Sequence, residues 1–334
     1  MKHKVAIGIP TTSSFDYIEA TLEAVAAHIR PIASEYDIEI IIALNGGRKF
    51  YETKTKIINF KENNKDLSIH FIECVKQGKN NALNKILKYA ENSDIIHFLD
   101  DDVILKEGTV KTNIKALIDS KREYRCPVLV GSNFYAYDCG YKYFRNLGYG
   151  IFTSLKRIFW YKLFSLPFEG ESRQPKFCSG QSVCFFRKDF GYYPDDETGI
   201  ADDGYIGNYF LIKNTAAKIN LVKPKNSIVY FKIASVPSEW LRQQIRIFTG
   251  VYYSYKVFPG YSSLFEKEFS WKYSVSKNLR GKHAFESSFI DNIRLFILRS
   301  FQRRVLKKSM KLINNNNIAD WAIASSSKAI PTLY

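Results

Sequence analysis

The chain of 334 residues is poor in cysteine and has no CxxC pair: the five cysteines are Cys74, Cys126, Cys139, Cys178 and Cys184. An odd count without paired spacing excludes a zinc knuckle and argues for reduced thiols over a disulfide framework. Long hydrophobic runs are missing too. No uncharged apolar window approaches the roughly 20 residues that a membrane-crossing helix needs. The opening MKHKVAIGIP enters a strand pattern directly, without the apolar core and cleavage site of a secretory leader. Together these absences predict a cytoplasmic protein. Acidic residues are scarce, with 33 Asp and Glu against 49 Lys and Arg, a formal net charge of +16. Such a surplus draws polyanions: nucleic acid, an anionic membrane face or phosphorylated substrates. No RRM, KH, finger or helix-turn-helix signature is present, so nucleic acid is not an expected partner. No internal repeat occurs.

What is present is an ordinary folded composition, 46% hydrophobic and 25% charged. The length has room for one large or two ordinary domains. KVAIGIP, DIEIIIALNGG, LSIHFIECV, DIIHFLDDD and PVLVGSNFYAY read as strands. DYIEATLEAVAAHIR, with Ile18, Leu22, Val25, Ala26 and Ile29 at helical spacing, reads as a helix, as do KNNALNKILKYAEN and TVKTNIKALIDSKR. The alternation, with strands too apolar to have a wet face, predicts an α/β fold on a mostly parallel sheet. Ligands of such sheets collect beyond the strands' carboxyl ends. Asn45, Lys79 and the triplet Asp100, Asp101 and Asp102 all fall there. Three adjacent carboxylates behind a buried strand need a cation, whether basic side chains, a helix N-terminus or a divalent metal. Further on, KFCSGQSVCFFRKDF reads as a turn and strand, GIADDGYIGNYFLIKN as an acidic turn entering a helix, and SEWLRQQIRIFTGVYYSY as a helix. A loosely ordered tail is expected from the Asn-rich stretch at 314–317 onward.

Five features in order, VAIGIPTT, EIIIALNGG, KQGKNNALN ahead of FLDDD, ADDGY and QQIRI, resemble the inverting nucleotide-diphospho-sugar glycosyltransferases of family 2. The resemblance spans roughly residues 4–250 and implies the GT-A fold, a Rossmann-like mostly parallel mixed sheet flanked by helices. It also implies domain limits: a glycosyltransferase domain over 1–250, divided into a nucleotide-sugar half (1–138) and an acceptor half (139–250), then a helical C-terminal extension (251–334). The same resemblance makes Asp100 and Asp102 a DxD-type pair around Asp101, with Asp102 and Asp100 holding Mn²⁺ or Mg²⁺. That hard, oxygen-liganded ion stabilises a departing nucleoside diphosphate. Pro10 and Thr11 match a donor-contacting turn. Lys79, with Lys76 nearby, and Arg246 match diphosphate contacts, and Asn84 the nucleotide side. Asp203 matches the catalytic base, while Gly180, Gln181, Asp202 and Gln243 match acceptor contacts.

Each position has a plainer structural reading. The triplet can cap the next element, the Lys and Asn of KQGKNNALN can be a solvated helix start, and Asp202 and Asp203 can cap a helix near Tyr205. The sequence also departs from the pattern twice. Where relatives carry an Asp that holds the base, this chain has Leu44 and Asn45. Asn45 can hydrogen-bond a base edge or form a turn, and a UDP-sugar is the default donor. Where relatives carry the Trp of QxxRW, Ile247 stands, with Trp240 and Phe248 as nearby substitutes.

Residues 141–168 and 285–313 mix aromatics with Lys and Arg. In the latter, Ile290, Ile293, Ile297, Phe301 and Val305 line one side. Such a stripe suits a core-facing helix or one lying on an anionic membrane surface. The leading expectation is transfer of a sugar from a nucleotide donor to a carbohydrate or lipid-linked acceptor in cell-surface polysaccharide synthesis. Its alternatives are a non-catalytic polyanion-binding protein and a sugar nucleotidyltransferase. The second lacks support, because IPTTSSFDYIE is not the Gly-rich, Arg-bearing loop of those enzymes.

Overall fold

Residue 8 sets how closely the first helices approach the sheet. In the computed structural model, which describes residues 2–12, 15–46, 50–168, 179–195, 199–214, 221–261, 263–264 and 289–315, strand β1 (Lys4–Thr11) lies inside the main sheet. Helix α1 (Phe15–Ile29) follows and buries Ile18, Leu22, Val25, Ala26 and Ile29, the stripe expected from spacing. Each of the larger ones, Ile18, Leu22, Val25 and Ile29, contributes about 1.5–3 kcal/mol when fully removed from water. Strand β2 (Asp37–Leu44), helix α2 (Phe50–Asn63), strand β3 (Ser68–Glu73), helix α3 (Lys79–Tyr89) and strand β4 (Ile95–Leu99) complete the βα alternation. At Gly8 an added Cβ would sit 2.7 Å from Ile86 Cγ2 and 2.8 Å from the Phe98 ring. Glycine there lets α3 pack directly on β1.

The chain continues through β5 (Val103–Leu105), α4 (Thr109–Tyr124), β6 (Leu129–Gly131), β7 (Asn133–Ala136), α5 (Tyr141–Asn146), α6 (Ile151–Ser165), β8 (Ser182–Phe186), α7 (Asp202–Lys213), β9 (Leu221–Val222), β10 (Ile228–Phe231), α8 (Pro237–Val257) and α9 (Phe289–Asn314). The seven-stranded sheet has the order β3-β2-β1-β4-β8-β6-β9. All its pairings are parallel except those of β8, which runs antiparallel to β4 and β6. This is the mostly parallel mixed sheet expected. A small second sheet pairs β5 with β10 antiparallel and is completed by β7.

Two compact units emerge: residues 1–134, 177–198 and 202–231 form the first, and residues 135–176, 199–201 and 232–334 the second. The expected boundary at 250/251 falls inside α8, which runs unbroken from Pro237 to Val257. In the first unit a buried polar network ties β4 to its neighbours. His97 Nε2 lies 3.0 Å from Ser182 Oγ, Asn113 Nδ2 donates to Ser132 Oγ (3.0 Å), and Ser227 Oγ donates to Ser132 Oγ (2.7 Å). Burial drives the His97 pKa down to about 3, so the ring is neutral there.

The second unit is organised by aromatics. Phe164 stacks on Trp240 (4.4 Å, 7°), and Phe301 meets both rings edge-on. Trp240 is 4% exposed and held in this stack, which removes it as a substitute for the missing QxxRW tryptophan. Gly250 of α8 faces Ala201, whose Cβ would lie 2.8 Å from an added Cβ. In α9 the buried stripe is Leu298, Val305 and Ile313, while Ile293 is exposed. Val305 therefore turns inward as one edge of the expected stripe, and Ile293 does not. The Ile290 side chain, residues 285–288, Cys178 and the chain after Asn315 lie outside the described residues.

Candidate active site

Three adjacent aspartates coexist after β4 because the first two turn toward different partners. Asp100 Oδ1 accepts from Lys79 Nζ at 2.7 Å. Asp101 points inward, 5% exposed, and its Oδ2 accepts from Thr11 Oγ1 at 2.6 Å. Asp102 is half-buried on the turn. The buried Thr21 of α1, polar on an otherwise apolar stripe, donates to the carbonyls of Asp101 (3.2 Å) and Val103 (3.0 Å) and so fixes the turn's backbone. That lone threonine was the available sequence signal for a positioning residue that motif reading passes over.

Lys79 opens α3 directly after Gly78, whose φ of 132° lies in the region that favours glycine. Its ammonium bridges two carboxylates, reaching Asp202 Oδ2 at 2.9 Å as well as Asp100. Burial alone would lower the Lys79 pKa, but Asp100 and Asp202 outweigh it and hold it well above the usual lysine range. Asp100 goes the other way, to about 7. Burial raises it, Lys79 lowers it, and Asp102 and Asp202 add to the rise. The Lys79 ammonium thus serves both Asp100 and Asp202.

Asp202 and Asp203 form the first turn of α7, where the helix N-terminus favours negative charge. Asp203 Oδ1 also accepts from Gly204 N at 2.7 Å. The capping reading therefore applies from Asp202 itself, not from a helix starting near Tyr205. Gly180 precedes β8, and a Cβ there would come within 2.9 Å of Asp202 Oδ2 and 3.2 Å of Lys79 Nζ. The Gln181 carbonyl accepts from Asp100 N (3.3 Å), and its side chain accepts from Ser179 Oγ (3.0 Å). Pro10, Lys79, Asp100, Gly180, Asp202 and Asp203 line one open crevice, together with Tyr193 and the apolar Leu83, Phe98 and Ile206. The crevice lies beyond the carboxyl ends of β1 and β4, where open α/β sheets bind ligands.

Several expected contacts are used otherwise. Asn45 is 2% exposed; its Nδ2 donates to Gly78 O (2.5 Å) and its Oδ1 accepts from Gly78 N (3.1 Å). It holds the start of α3 instead of offering its amide to a base. Asn84 does the same for Tyr193, donating to its carbonyl (2.9 Å) and accepting from its N–H (2.8 Å). Thr11 and Asp101 bind each other, so their side chains anchor the turn. Gln243 and Arg246 belong to the second unit, half-buried three residues apart on α8.

The donor set suits a hard divalent cation, since Asp100, Asp102 and Asp202 offer carboxylate oxygens in one region. Among the described residues no group of three or more His, Cys, Asp or Glu is arranged to hold an ion unaided.

The family model described as glycosyl transferase family 2 matches residues 6–193. No curated protein matches. Among solved structures, the mannosyltransferase PcManGT from Pyrobaculum calidifontis, solved in complex with GDP-Man and Mn²⁺, aligns at a TM-score of 0.55 and 15% identity. The alignment covers 94% of this chain and 84% of that one. S. aureus TarS 1–349 aligns at a TM-score of 0.46 and 13% identity, over 95% and 92%. The sheet order and the first of these likenesses establish the GT-A architecture, and the family match covers more than half of the chain. The chain belongs to glycosyl transferase family 2.

Proposed function

We propose that this glycosyltransferase is an inverting, divalent-metal-dependent enzyme of the hexosyltransferase type. It acts in the cytoplasm on a nucleotide-diphosphate sugar, a UDP-sugar by preference. Its acceptor is a carbohydrate or a lipid-linked glycan in cell-surface polysaccharide synthesis. One observation carries the reading. Carboxylates from distant stretches, Asp100 and Asp202, converge within 3 Å of one ammonium, and Asp203 lines the same crevice.

In this reading Asp203 is the general base. It takes the proton from the acceptor hydroxyl as that oxygen attacks the anomeric carbon and the bond to the donor's phosphate oxygen breaks on the opposite side. Asp100 and Asp102 would hold Mn²⁺ or Mg²⁺. Bound there, the ion supplies Lewis-acid stabilisation of the charge left on the departing nucleoside diphosphate. Lys79, at the positive end of α3, gives the donor's phosphates an ammonium partner. Gly180 keeps the space beside Asp202 free of a side chain. Arg246 and Gln243 are assigned to the diphosphate and the acceptor by resemblance to the family motif, and Pro10 to the donor turn.

The test is a panel of nucleotide sugars, with and without Mn²⁺, read by release of nucleoside diphosphate. UDP-sugars come first, and GDP-mannose is included because the structurally similar mannosyltransferase was solved with it. One donor is expected to be turned over. Asp102→Asn should slow that turnover by roughly 10²–10³, the rate equivalent of losing several kcal/mol of charge stabilisation. Pyrophosphate as product, or unchanged turnover in Asp102→Asn, overturns the reading.

A further inference from the structure

Helix α6 of the second unit turns an apolar face outward. Phe152 is 89% exposed, Ile151 56%, Leu155 53% and Phe159 47%. At 3.6 residues per turn these four fall within an arc of roughly 100°. Ser154, Tyr161 and Phe164, which are buried, lie on the other side of the helix. A globular helix ordinarily puts its polar residues where α6 puts these.

Most of the charge near this face is positive, although the exposed Asp138 pairs with Lys162. Between residues 139 and 168 there are five basic residues, Lys142, Arg145, Lys156, Arg157 and Lys162, and no Asp or Glu. Lys156 is exposed at the flank of the apolar arc, and Lys142 and Arg145 are exposed on the preceding α5. Arg157 is already engaged, donating to Ser235 Oγ at 3.0 Å and lying 4.0 Å from the Tyr149 ring centroid. Lys162 pairs with Asp138.

We propose that the outer face of α6 is a docking surface for an anionic lipid bilayer. Ile151, Phe152, Leu155 and Phe159 would enter the acyl boundary, while Lys142, Arg145 and Lys156 would meet lipid phosphates. Interfacial helices combine an apolar face with flanking Lys and Arg in this way, their long side chains reaching back to the headgroups. The geometry is that of lying on the surface. Fifteen residues at 1.5 Å each span about 22 Å, short of the ~30 Å hydrocarbon core, and no described helix is long and apolar enough to cross a membrane.

Charge complementarity selects the bilayer over the other possible occupants. A second copy of a chain carrying +16 would bring like charge against like charge around this patch. Nucleic acid would satisfy the lysines but leave the aliphatic Ile151 and Leu155 without a role, since bases stack on aromatic rings. Helix α9 is basic too and divides its apolar residues: Leu298, Val305 and Ile313 face the interior, while Ile293, Phe296, Leu306 and Met310 are exposed, more thinly spread along the helix than the four on α6.

The experiment is vesicle co-sedimentation of the full chain without any substrate, so its outcome is separate from that of the transfer assay. Vesicles of phosphatidylcholine alone are compared with vesicles containing 30% phosphatidylglycerol. Phe152→Ser with Phe159→Ser removes apolar surface at constant charge. Lys307→Glu with Lys308→Glu removes charge on α9 and leaves α6 intact. Far-UV circular dichroism and the melting temperature confirm folding, since all four positions are exposed or half-exposed. The wild type should partition to anionic but not neutral vesicles. The Phe pair should lower that partitioning about tenfold or more, and the Lys pair should lower it less. Equal binding by the Phe variant, or no preference for anionic vesicles, overturns the proposal. So does a wild-type dimer that the Phe variant dissolves, or nucleic-acid binding that the Phe variant weakens in place of vesicle binding.

Discussion

Each unit of the molecule tucks away a lysine, and the two are treated in opposite ways. Lys79 sits half-buried between Asp100 and Asp202, and its pKa is held well above the usual range. Lys232 is 5% exposed. It donates to the Tyr143 hydroxyl at 2.5 Å and lies 4.7 Å from that ring's centroid. Burial brings its pKa down to about 8, with Cys139 and Glu239 pulling upward and Arg157 downward. The first lysine is the counterion of two acids of the crevice. The second is an ammonium whose neighbours stabilise it less than water would. Buried charge in the first unit is therefore balanced by groups suited to chemistry, whereas in the second it is a cost carried by the fold.

The sharpest way to test that contrast is to neutralise the crevice carboxylate assigned as base. Asp203→Asn keeps an oxygen that can accept from Gly204 N, so the first turn of α7 should survive. Turnover should fall by roughly 10²–10⁴, the usual share of a general base, with donor affinity unchanged in a binding titration. Near-normal turnover would reduce Asp203 to a helix cap.

Removing the counterion comes next in size. Lys79→Met leaves Asp100 and Asp202 facing each other without the ammonium, which should destabilise the first unit by about 2 kcal/mol, less than a deeply buried pair would lose. The more telling readout is thermal. Saturating Mn²⁺ without nucleotide should raise the variant's melting temperature more than the wild type's, because a ligand stabilises in proportion to its affinity for the folded state. Equal shifts would mean that these carboxylates are not where the cation binds.

How much of this contrast could be read from the sequence depends on how local each cause is. The α1 stripe, the first four strands and the acids at their ends are local signals, and they stand where periodicity put them. Helix α2 is not announced by the sequence, because a mostly polar segment shows only Thr53, Ile57 and Phe60 on its buried side. Strands β5, β9 and β10 are two to four residues long and exist through partners far along the chain. The single strand expected over 127–137 is two, with the buried Ser132 between them. At the site, residue type was legible but hydrogen-bond partner was not. Asn45 meets a residue 33 positions away and Asn84 one 109 positions away, so nothing near either amide announces a structural use. In the C-terminal segment a core stripe and a membrane stripe have one period, and only packing tells them apart.

The smallest expected effect tests the second half of the comparison. Lys232 has a folded pKa of about 8 against an ordinary 10.5. Below pH 8 both folded and unfolded chains hold the proton, and the folded state bears the whole cost of the buried charge. Between 8 and 10.5 the unfolded chain holds more protons, so this group's contribution to stability rises with pH; above 10.5 the cost is gone. Lys232→Met removes the cost at every pH but leaves the Tyr143 hydroxyl short of a donor, which offsets part of the gain. The variant should therefore be about as stable as the wild type, or slightly more so, at pH 7. Its advantage should then shrink and reverse by pH 10.5, a relative swing of about 3 kcal/mol from the pKa difference. Denaturant melts of both proteins at matched pH read that swing, and the titrations they share cancel in the difference. A constant difference across the range would mean that Lys232 is as well compensated as Lys79, and the contrast between the two interiors would fail at its weaker end.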